Sequence, residues 1–346
     1  MIEQLVRKNI LNFKPYKSAR TLSMEGVLLD ANENSFGSVL ENNLSLNRYP
    51  DPMQYSIRDK LSKHLNINYK NLILGVGSDE IIDLLIRIFC VPGKDSVVVT
   101  EPTYGMYRVV CNINDVSVLT VPLNNRFQID VKKTLNEITR HTKLIFLCSP
   151  NNPTGNRISK KSIYNLLKKF NGIVVVDEAY IDFSEENSLI HEVKNYRNLV
   201  VLRTFSKAWG LAGVRAGYAV ADELIIKLLF KVKAPYNLNK LTLQVITEAL
   251  ANISRKKQLV KKINAEKEKL SSVLNKLRGV QKVFYSDANF ILFRVKNAKR
   301  VYEKLSSEGI IVRDLSSNPK LINCLRVTVG TPKENKLFIS KLKEIL

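Results

Sequence analysis

Short apolar runs recur along the first two-thirds of the chain, and each one is followed by a polar or glycine-containing segment. They occupy residues 72–74, 96–100, 144–147, 173–176 and 199–202. Runs of this length that are rich in Val, Ile and Leu suit strands buried on both faces of a parallel sheet. Stretches with helical periodicity separate them, for example from Glu80 onward after the turn at residues 75–79. The alternation predicts an α/β fold with a mainly parallel central sheet flanked by helices.

The pattern changes after Pro235. Helical periodicity dominates residues 241–277, and short strands then alternate with helices. We predict strands at residues 282–285, 289–295, 310–313 and 325–329, and helices at residues 298–308 and 333–346. The chain is therefore expected to divide into an N-terminal arm (1–28), a large domain (29–240) and a smaller C-terminal α/β domain (241–346). The arm has too little apolar surface to fold alone, so it must pack on another domain or subunit.

The strongly basic composition raises the question of nucleic-acid binding. The formal net charge is +22, and the densest basic run spans residues 255–269. Apolar residues recur at helical spacing through and beyond this run, which favours a solvated helix face over a nucleic-acid patch. We therefore expect no nucleic-acid partner, although a basic nucleic-acid-binding protein on an inactive enzyme fold stays open as an alternative. A positive field would also attract anionic small molecules.

Targeting, membrane and metal signals are weak. The first residues of the chain include an acid, Glu3, where a signal peptide would be basic. No stretch approaches 18 consecutive apolar residues. We expect a cytoplasmic protein without a membrane segment. The four cysteines and three histidines are scattered without ligand spacing, so the sequence predicts no metal site and no disulfide framework.

The polar residues that follow the apolar runs are the candidate site. In open α/β sheets, ligands bind outside the carboxyl ends of the strands. Gly77, Ser78 and Asp79 precede a predicted helix, whose first N–H groups and dipole would favour an anion. The other candidates each follow a later strand: Tyr104, Asn152, Asp177, Tyr180, Ser206, Lys207 and Arg215. A carboxylate such as Asp177 at the end of a buried strand needs a cationic partner.

Three motifs occur together and in order: SPNNPTG at residues 149–155, DEAY at residues 177–180, and SKxxxLAGxRxGY at residues 206–218. This combination resembles the fold-type I aminotransferases that use pyridoxal 5'-phosphate. The resemblance implies that Lys207 binds the cofactor aldehyde covalently and that Asp177 faces the pyridine nitrogen. It also implies that Ser206 and Arg215, with the N–H groups of Gly77, Ser78 and Asp79, bind the phosphate. Tyr104 would stack on the cofactor ring, while Asn152 and Tyr180 would bind the ring hydroxyl; Lys207, Asp177 and Tyr180 are the expected catalytic residues.

Within that family, the chain is most similar to the histidinol-phosphate aminotransferases. The residues that carry this likeness are PYKSAR at 15–20, NEN at 32–34, RYP at 48–50, APY at 234–236, IVRD at 311–314 and CLRVTVGT at 324–331. The expected substrates are then L-histidinol phosphate and 2-oxoglutarate or glutamate. The likeness assigns substrate binding to Tyr16, Asn152, Tyr236, Arg313 and Arg326, of which Tyr16, Tyr236, Arg313 and Arg326 would hold the anionic groups. It also implies a homodimer in which Tyr49 reaches the cofactor of the neighbouring subunit.

One residue departs from the family pattern, and two related activities stay open. The family usually has a proline after the NEN motif, whereas this chain has Ser35, which bears on the shape of that loop. The alternative activities on the same fold are those of an aromatic amino-acid aminotransferase and of a phosphothreonine-type decarboxylase. They differ from the first prediction at the pocket that binds the substrate anion.

Overall fold

The computed structural model of the protein describes residues 2–40 and 44–346, and within them the strands form two sheets. In chain order the strands are β1 Leu72–Val76, β2 Ser96–Glu101, β3 Ser117–Pro122, β4 Thr142–Cys148, β5 Ile173–Asp177, β6 Leu199–Thr204, β7 Ala216–Ala221, β8 Val280–Val283, β9 Phe290–Val295, β10 Arg313–Asp314 and β11 Cys324–Thr328. The large sheet has the order β1-β7-β6-β5-β4-β2-β3, and the small sheet has the order β10-β11-β9-β8.

The large sheet is mainly parallel, as the apolar runs predict. Pairs β2–β3, β2–β4, β4–β5 and β5–β6 are parallel, while β7 runs antiparallel to both β1 and β6. Every residue of β5, β6 and β7 is buried. Successive side chains of a strand point to opposite faces. In β5, Val174 and Val176 accordingly join one apolar cluster, whereas Ile173 and Val175 join the other.

Helices cover both faces of this sheet. In chain order the α-helices are α1 Ile2–Leu5, α2 Lys8–Asn12, α3 Ala19–Leu22, α4 Tyr55–Leu65, α5 Gly77–Phe89, α6 Met106–Ile113, α7 Val131–Asn136, α8 Lys160–Lys169, α9 Glu223–Val232, α10 Lys240–Ala251, α11 Ile253–Lys276, α12 Ala298–Ser307 and α13 Pro332–Ile345. Short 3-10 helices lie at Tyr69–Asn71, Ile181–Phe183, Leu189–Lys194, Ala212–Val214 and Pro319–Leu321. Helices α4, α8 and α10 contribute to one cluster, and α5, α6 and α9 contribute to the other.

The small sheet is antiparallel and has its own apolar cluster. Strands β9 and β11 supply its centre, and α11, α12 and α13 pack on it through residues such as Leu274, Leu305 and Leu342. The predicted strands and helices of this part are present, but several of them begin or end at different residues. The strand predicted at residues 310–313 is only the two-residue β10, and the long helical stretch is interrupted at Asn252, between α10 and α11.

Two strands and one helix start differ from the predictions for the large sheet. Strand β3 lies at the sheet edge and is mostly solvent-accessible, so it has no continuous apolar run. Strand β7 reads AGYAVA, and its small residues resemble a loop in sequence although they are fully buried. Helix α5 begins at Gly77 rather than Glu80, because Gly77 has a positive φ of 71° and turns the chain directly from β1 into the helix.

The beginning of the chain packs on the large sheet's helices. Ile2, Val6 and Ile10 are buried in the cluster that contains α5 and α9, and the N–H of Arg7 donates to the carbonyl of Ile88 over 3.0 Å. Met1 of the predicted arm lies outside the described residues. The boundaries of the arm and the two domains stay a prediction. Nowhere in the described residues is a helix long and apolar enough to cross a membrane.

Candidate active site

A cavity of about 290 Å³ lies at the carboxyl-terminal edge of the large sheet. It brings together eleven of the predicted site residues: Gly77, Ser78, Asp79, Tyr104, Asn152, Asp177, Tyr180, Ser206, Lys207, Arg215 and Arg326. The first ten follow or precede strands of the large sheet, whereas Arg326 comes from β11 of the small sheet. The cavity therefore lies between the two sheets, where the sequence predicts a ligand. Cys148, Ala179, Thr204 and Ala212 complete the lining and were not predicted.

Four predicted substrate or cofactor residues lie outside this cavity. Tyr49 and Tyr236 stack on each other, with ring centroids 4.4 Å apart, and line a separate pocket. Tyr16 is 79% exposed and lines a third pocket. Arg313 is exposed, but it pairs in register with Arg326 across β10 and β11. The roles predicted for these residues, including the contact of Tyr49 with a neighbouring subunit, stay predictions.

Asp177 ends β5 and is 3% exposed. Its Oδ1 accepts the N–H of Ala179 over 3.0 Å, and its Oδ2 accepts the hydroxyl of Tyr107 over 2.8 Å. In the described parts of the chain, no Lys, Arg or His nitrogen lies within 4.0 Å of its carboxylate oxygens. Burial outweighs the two hydrogen bonds and raises the pKa of Asp177 to about 6. A cation in the cavity would remove this cost.

Tyr107 is a site residue that the sequence reasoning missed. It does not line the cavity but lies beneath it, fully buried on α6, where its ring stacks on Phe146 of β4 at 5.0 Å. Its ring also meets Tyr104 edge-on at 5.5 Å. The sequence contains one indication of this residue. Tyr104 and Tyr107 are three residues apart near the start of a helix, a spacing that places two aromatic side chains on one face. Tyr107 thus orients the Asp177 carboxylate while Tyr104 borders the cavity.

Lys207 follows β6 and stays accessible to solvent through the cavity. Its Nζ lies 5.6 Å from the centre of the Tyr180 ring. Partial burial of the ammonium and the nearby charge of Arg326 lower the pKa of Lys207 below its usual value. The neutral amine, which is both nucleophile and base, is therefore more populated than in a free lysine.

The opposite end of the cavity is formed by the start of α5 and by Arg215. The guanidinium of Arg215 lies 3.4 Å from the carboxylate of Asp79, which also accepts the Tyr104 hydroxyl over 3.2 Å. The N–H of Gly77 donates to the Arg215 carbonyl over 3.0 Å, so this one of the three predicted N–H donors already has an acceptor in the protein. Those of Ser78 and Asp79 belong to the first helical turn and have no acceptor within the helix.

The close approach of α5 to β7 explains two glycines. A Cβ on Gly217 would lie 2.5 Å from the backbone nitrogen of Ser78, and a Cβ on Gly77 would lie 2.9 Å from Nη2 of Arg215. Side chains at these positions would displace the helix start or the guanidinium. The glycines thus leave the N–H groups and the Arg215 fork directed at one small volume, which is a suitable anion site.

Arg326 connects the small sheet to the cavity. Its Nη1 donates to Oδ1 of Asn152, and its guanidinium lies 5.2 Å from the centre of the Phe290 ring. The same Phe290 ring contacts Tyr180 edge-on at 5.2 Å. Burial and the adjacent charge of Arg313 lower the pKa of Arg326, although Tyr180 partly opposes this shift. The cavity lining carries the cations Lys207, Arg215 and Arg326 and the carboxylates Asp79 and Asp177, so an anionic ligand is favoured.

Comparison with known proteins identifies the family of the chain. The model of the family aminotransferase class I and II matches residues 16–342. The chain belongs to this family. It is 47% identical to the histidinol-phosphate aminotransferase of Cytophaga hutchinsonii over 344 residues, which are 99% of this chain and 98% of that protein.

Two solved structures share the fold. The histidinol-phosphate aminotransferase from Clostridium acetobutylicum has a TM-score of 0.80 at 26% identity, over 87% of this chain and 91% of that one. The enzyme of that name from Sinorhizobium meliloti, in complex with pyridoxal 5'-phosphate, has a TM-score of 0.81 at 23% identity, over 91% of this chain and 89% of that one.

The family depends on pyridoxal 5'-phosphate, and the cavity residues fit this cofactor. Asp177 is a buried carboxylate without a close cationic partner, so it suits a protonated pyridine nitrogen. Lys207 offers an accessible amine of lowered pKa, and Arg215 with the start of α5 offers a phosphate site. The individual roles of these residues stay predictions.

The cost of the Asp177 carboxylate gives a test on cofactor-free protein. The folded-state pKa of Asp177, about 6, lies above the ordinary 3.8. The ionised carboxylate therefore destabilises the fold, with the full effect reached above pH 6. Well below pH 3.8 the effect is absent, because the group is protonated in both the folded and the unfolded state. Cofactor-free Asp177→Asn should be more stable than the unchanged protein by roughly 1–3 kcal/mol at pH 8. This advantage should shrink as the pH falls from 6 to below 4.

Urea denaturation at pH 8 and at pH 4 measures the effect. Glu268→Gln, which neutralises an exposed acid, is the matched control and should show no such pH dependence. The same Asp177→Asn protein should bind pyridoxal 5'-phosphate more weakly, because an amide cannot neutralise a pyridinium. Equal stability of Asp177→Asn and the unchanged protein at pH 8 would contradict the unfavourable burial of the ionised Asp177 carboxylate.

Proposed function

We propose that this protein is a histidinol-phosphate aminotransferase of histidine biosynthesis. It would transfer the amino group of L-histidinol phosphate reversibly to 2-oxoglutarate, giving imidazole-acetol phosphate and glutamate. The observation that carries the proposal is that Lys207, Asp177 and Arg326 line one cavity. The 47% identity to a relative of that name over nearly the whole chain supports the choice of substrate.

The proposed chemistry assigns a task to each end of the cavity. Bound pyridoxal 5'-phosphate supplies an electron-withdrawing ring next to the α carbon of the amino substrate. The lowered pKa of Lys207 favours the neutral Nζ, which can take the proton from that carbon and return it. Asp177 holds the proton on the ring nitrogen by remaining ionised, and Tyr107 keeps its carboxylate oriented. Tyr180 and Asn152 are assigned to the ring hydroxyl, with Asn152 also held by Arg326.

The substrate anion is assigned to Arg326 and Arg313. Histidinol phosphate carries a phosphomethyl group where glutamate has its α-carboxylate, so one pocket must accept two anions of different reach and charge. Arg326 borders the cavity and Arg313 is its in-register neighbour on the next strand. Two adjacent guanidinium groups can accommodate both anions, because each can make bidentate bonds from its own fork. Tyr16 and Tyr236 are proposed to complete this pocket in the assembled enzyme.

We further propose a homodimer in which Tyr49 reaches the cofactor of the neighbouring subunit. Val27, Phe36 and Val39 are 88%, 104% and 98% exposed, an unusual concentration of apolar surface in one segment. Such a patch is typical of a protein interface. Small-molecule substrates without a nucleic-acid partner, a cytoplasmic location and the division into residues 1–28, 29–240 and 241–346 belong to the same proposal.

The amine of Lys207 is tested by absorbance. The purified protein should be yellow when loaded with pyridoxal 5'-phosphate, because a covalent imine to Lys207 absorbs visible light. Lys207→Ala should lose this band and all measurable transamination, while Lys132→Ala, which changes an exposed lysine of α7, should keep both. A colourless protein that binds no added cofactor but retains DNA would instead favour the nucleic-acid alternative.

The anion pocket is tested by substrate preference. Arg313→Ala should reduce kcat/KM for histidinol phosphate by about 10- to 100-fold, as expected for the loss of a charge-assisted bond of roughly 1.5–3 kcal/mol. Phenylalanine presents only an α-carboxylate, which is assigned to Arg326, so the loss with it should be much smaller. The assay compares histidinol phosphate, phenylalanine and phosphothreonine at equal concentration. Equal losses for the first two would favour the aromatic aminotransferase, and release of CO₂ from phosphothreonine would favour the decarboxylase.

A further inference from the structure

Not all of the basic run at residues 255–269 forms a solvated helix face. The run lies in α11, and the side chain of Lys256 is only 12% exposed. Taking a lysine ammonium out of water is unfavourable unless it is paired. Lys256 therefore differs from exposed neighbours on the same helix such as Lys257 and Lys262, and its partners indicate a different purpose.

Lys256 contacts both chain segments that carry the central residues of the candidate site. Its Nζ donates to Oδ1 of Asp182 over 2.9 Å and lies 4.6 Å from the centre of the Trp209 ring. Asp182 comes two residues after Tyr180, and Trp209 comes two residues after Lys207. One ammonium group thus joins the segment after β5 to the segment after β6, through an ion pair on one side and a cation–π contact on the other.

Two further charged residues extend this contact beneath the cavity. Arg203, near the end of β6, lies 3.0 Å from Asp182 and 3.8 Å from Glu178, and all three side chains are at most 15% exposed. Burial opposes the charge of Asp182, but Arg203 and Lys256 outweigh it and lower its pKa. Glu178 is adjacent to Asp177 in sequence and does not line the cavity. Two cations and two carboxylates therefore balance behind the site.

Beyond the strand ends, two kinds of contact hold the segments together: this group of charges, and an apolar cluster that contains Tyr180, Phe183 and Ala208. The backbone connects them through the N–H of Glu178, which donates to the Leu202 carbonyl over 2.9 Å. Past that point the segments diverge into Ile181–Phe183 and into the turn after Lys207. A buried ion pair contributes little net stability, because desolvation offsets the attraction, but it does fix geometry when each partner is satisfied.

We propose that Lys256 is a positioning residue, which holds the segment of Asp177 and Tyr180 in register with the segment of Lys207. The inference rests on the proposed function. It gives the long helix α11 a second task, since α11 packs on the small sheet and also contacts the active-site segments of the large sheet. Asn264 donates to the Phe183 carbonyl, and Val260 and Ile263 pack on Tyr180, Phe183 and Ala208, but Lys256 supplies the ion pair and the cation–π contact that join the two segments. Lys256 touches no lining position of the cavity and is not proposed to take part in the chemistry.

Lys256→Met is the principal test, because methionine keeps the length of the side chain and removes the charge. We expect kcat to fall about 10-fold, since small displacements of reacting groups reduce rate steeply, while KM stays within about 2-fold because no substrate contact is lost. Lys256→Arg should recover most of the rate. Lys262→Met on the same helix, an exposed lysine, is the matched control and should behave like the unchanged protein.

A second readout is independent of activity. Trp209 is the chain's one tryptophan, so its fluorescence reports on the surroundings of this one ring, which are Lys256, His64 and Phe205. In cofactor-free protein, acrylamide should quench Trp209 more strongly in Lys256→Met than in Lys256→Arg or Lys262→Met. Unchanged quenching together with kcat within 2-fold of the unchanged protein would overturn the proposal. If Lys256→Met does not fold, Lys256→Gln takes its place with the same expected results.

The double variant Lys256→Met with Asp182→Asn distinguishes two effects of losing Lys256: the loss of its contact between the two segments, and the loss of a positive charge from the buried group. It removes one cation and one anion, so the buried group of charges is again neutral although the connection is lost. We expect kcat to stay low. Recovery would show that net charge matters rather than the contact, and would overturn the proposal. If the unchanged protein neither shows the cofactor band nor transaminates, the proposed function itself fails, which is a distinct result.

Discussion

The buried carboxylate of Asp177 is the constraint to which the rest of the site is adapted. It lies at the end of a strand whose residues are all buried and is itself 3% exposed, so water solvates its charge poorly. The hydroxyl of Tyr107 and the N–H of Ala179 compensate only in part, and the pKa stays raised. A charge held at this cost is useful only if a cation is to be placed opposite it. The cofactor of this family supplies such a cation at the ring nitrogen.

Alternation along the strands separates two sets of charges. At the end of β5, Asp177 faces the cavity, while Glu178 joins Arg203, Asp182 and Lys256 behind it. Near the end of β6, Thr204 lines the cavity and Arg203 belongs to the rear set. Because successive side chains of a strand point to opposite faces, one set of charges faces the cavity and the other set lies on the opposite side of the strands.

The sequence predicts the fold well where its signal is local. Uninterrupted apolar runs identify β1, β2, β4, β5 and β6, because strands buried on both faces need apolar residues throughout. Strand β7 escapes this rule because its Ala and Gly residues fit a narrow space beside α5, where Gly217 approaches Ser78. The sequence also gives no sign of the roles of Tyr107 and Lys256, because the residues that they contact lie 70 and 74 residues away in the chain. No window of sequence contains such a contact, whereas most of the cavity residues lie at or shortly after the ends of strands of the large sheet.

The proposed anion sites are divided between the two sheets, and this division follows from the same geometry. Arg215 and the start of α5 belong to the large sheet, and Arg326 with Arg313 belongs to the small one. A cofactor phosphate and a substrate anion would repel each other if they shared a single site, so placing their cations on separate sheets keeps them apart. The distance between the two anions is then set by how the sheets pack. Helix α11 packs on the small sheet, and its buried Lys256 reaches the segments that follow β5 and β6 in the large sheet. On the proposed function, substrate fit and cofactor orientation therefore depend on one packing arrangement.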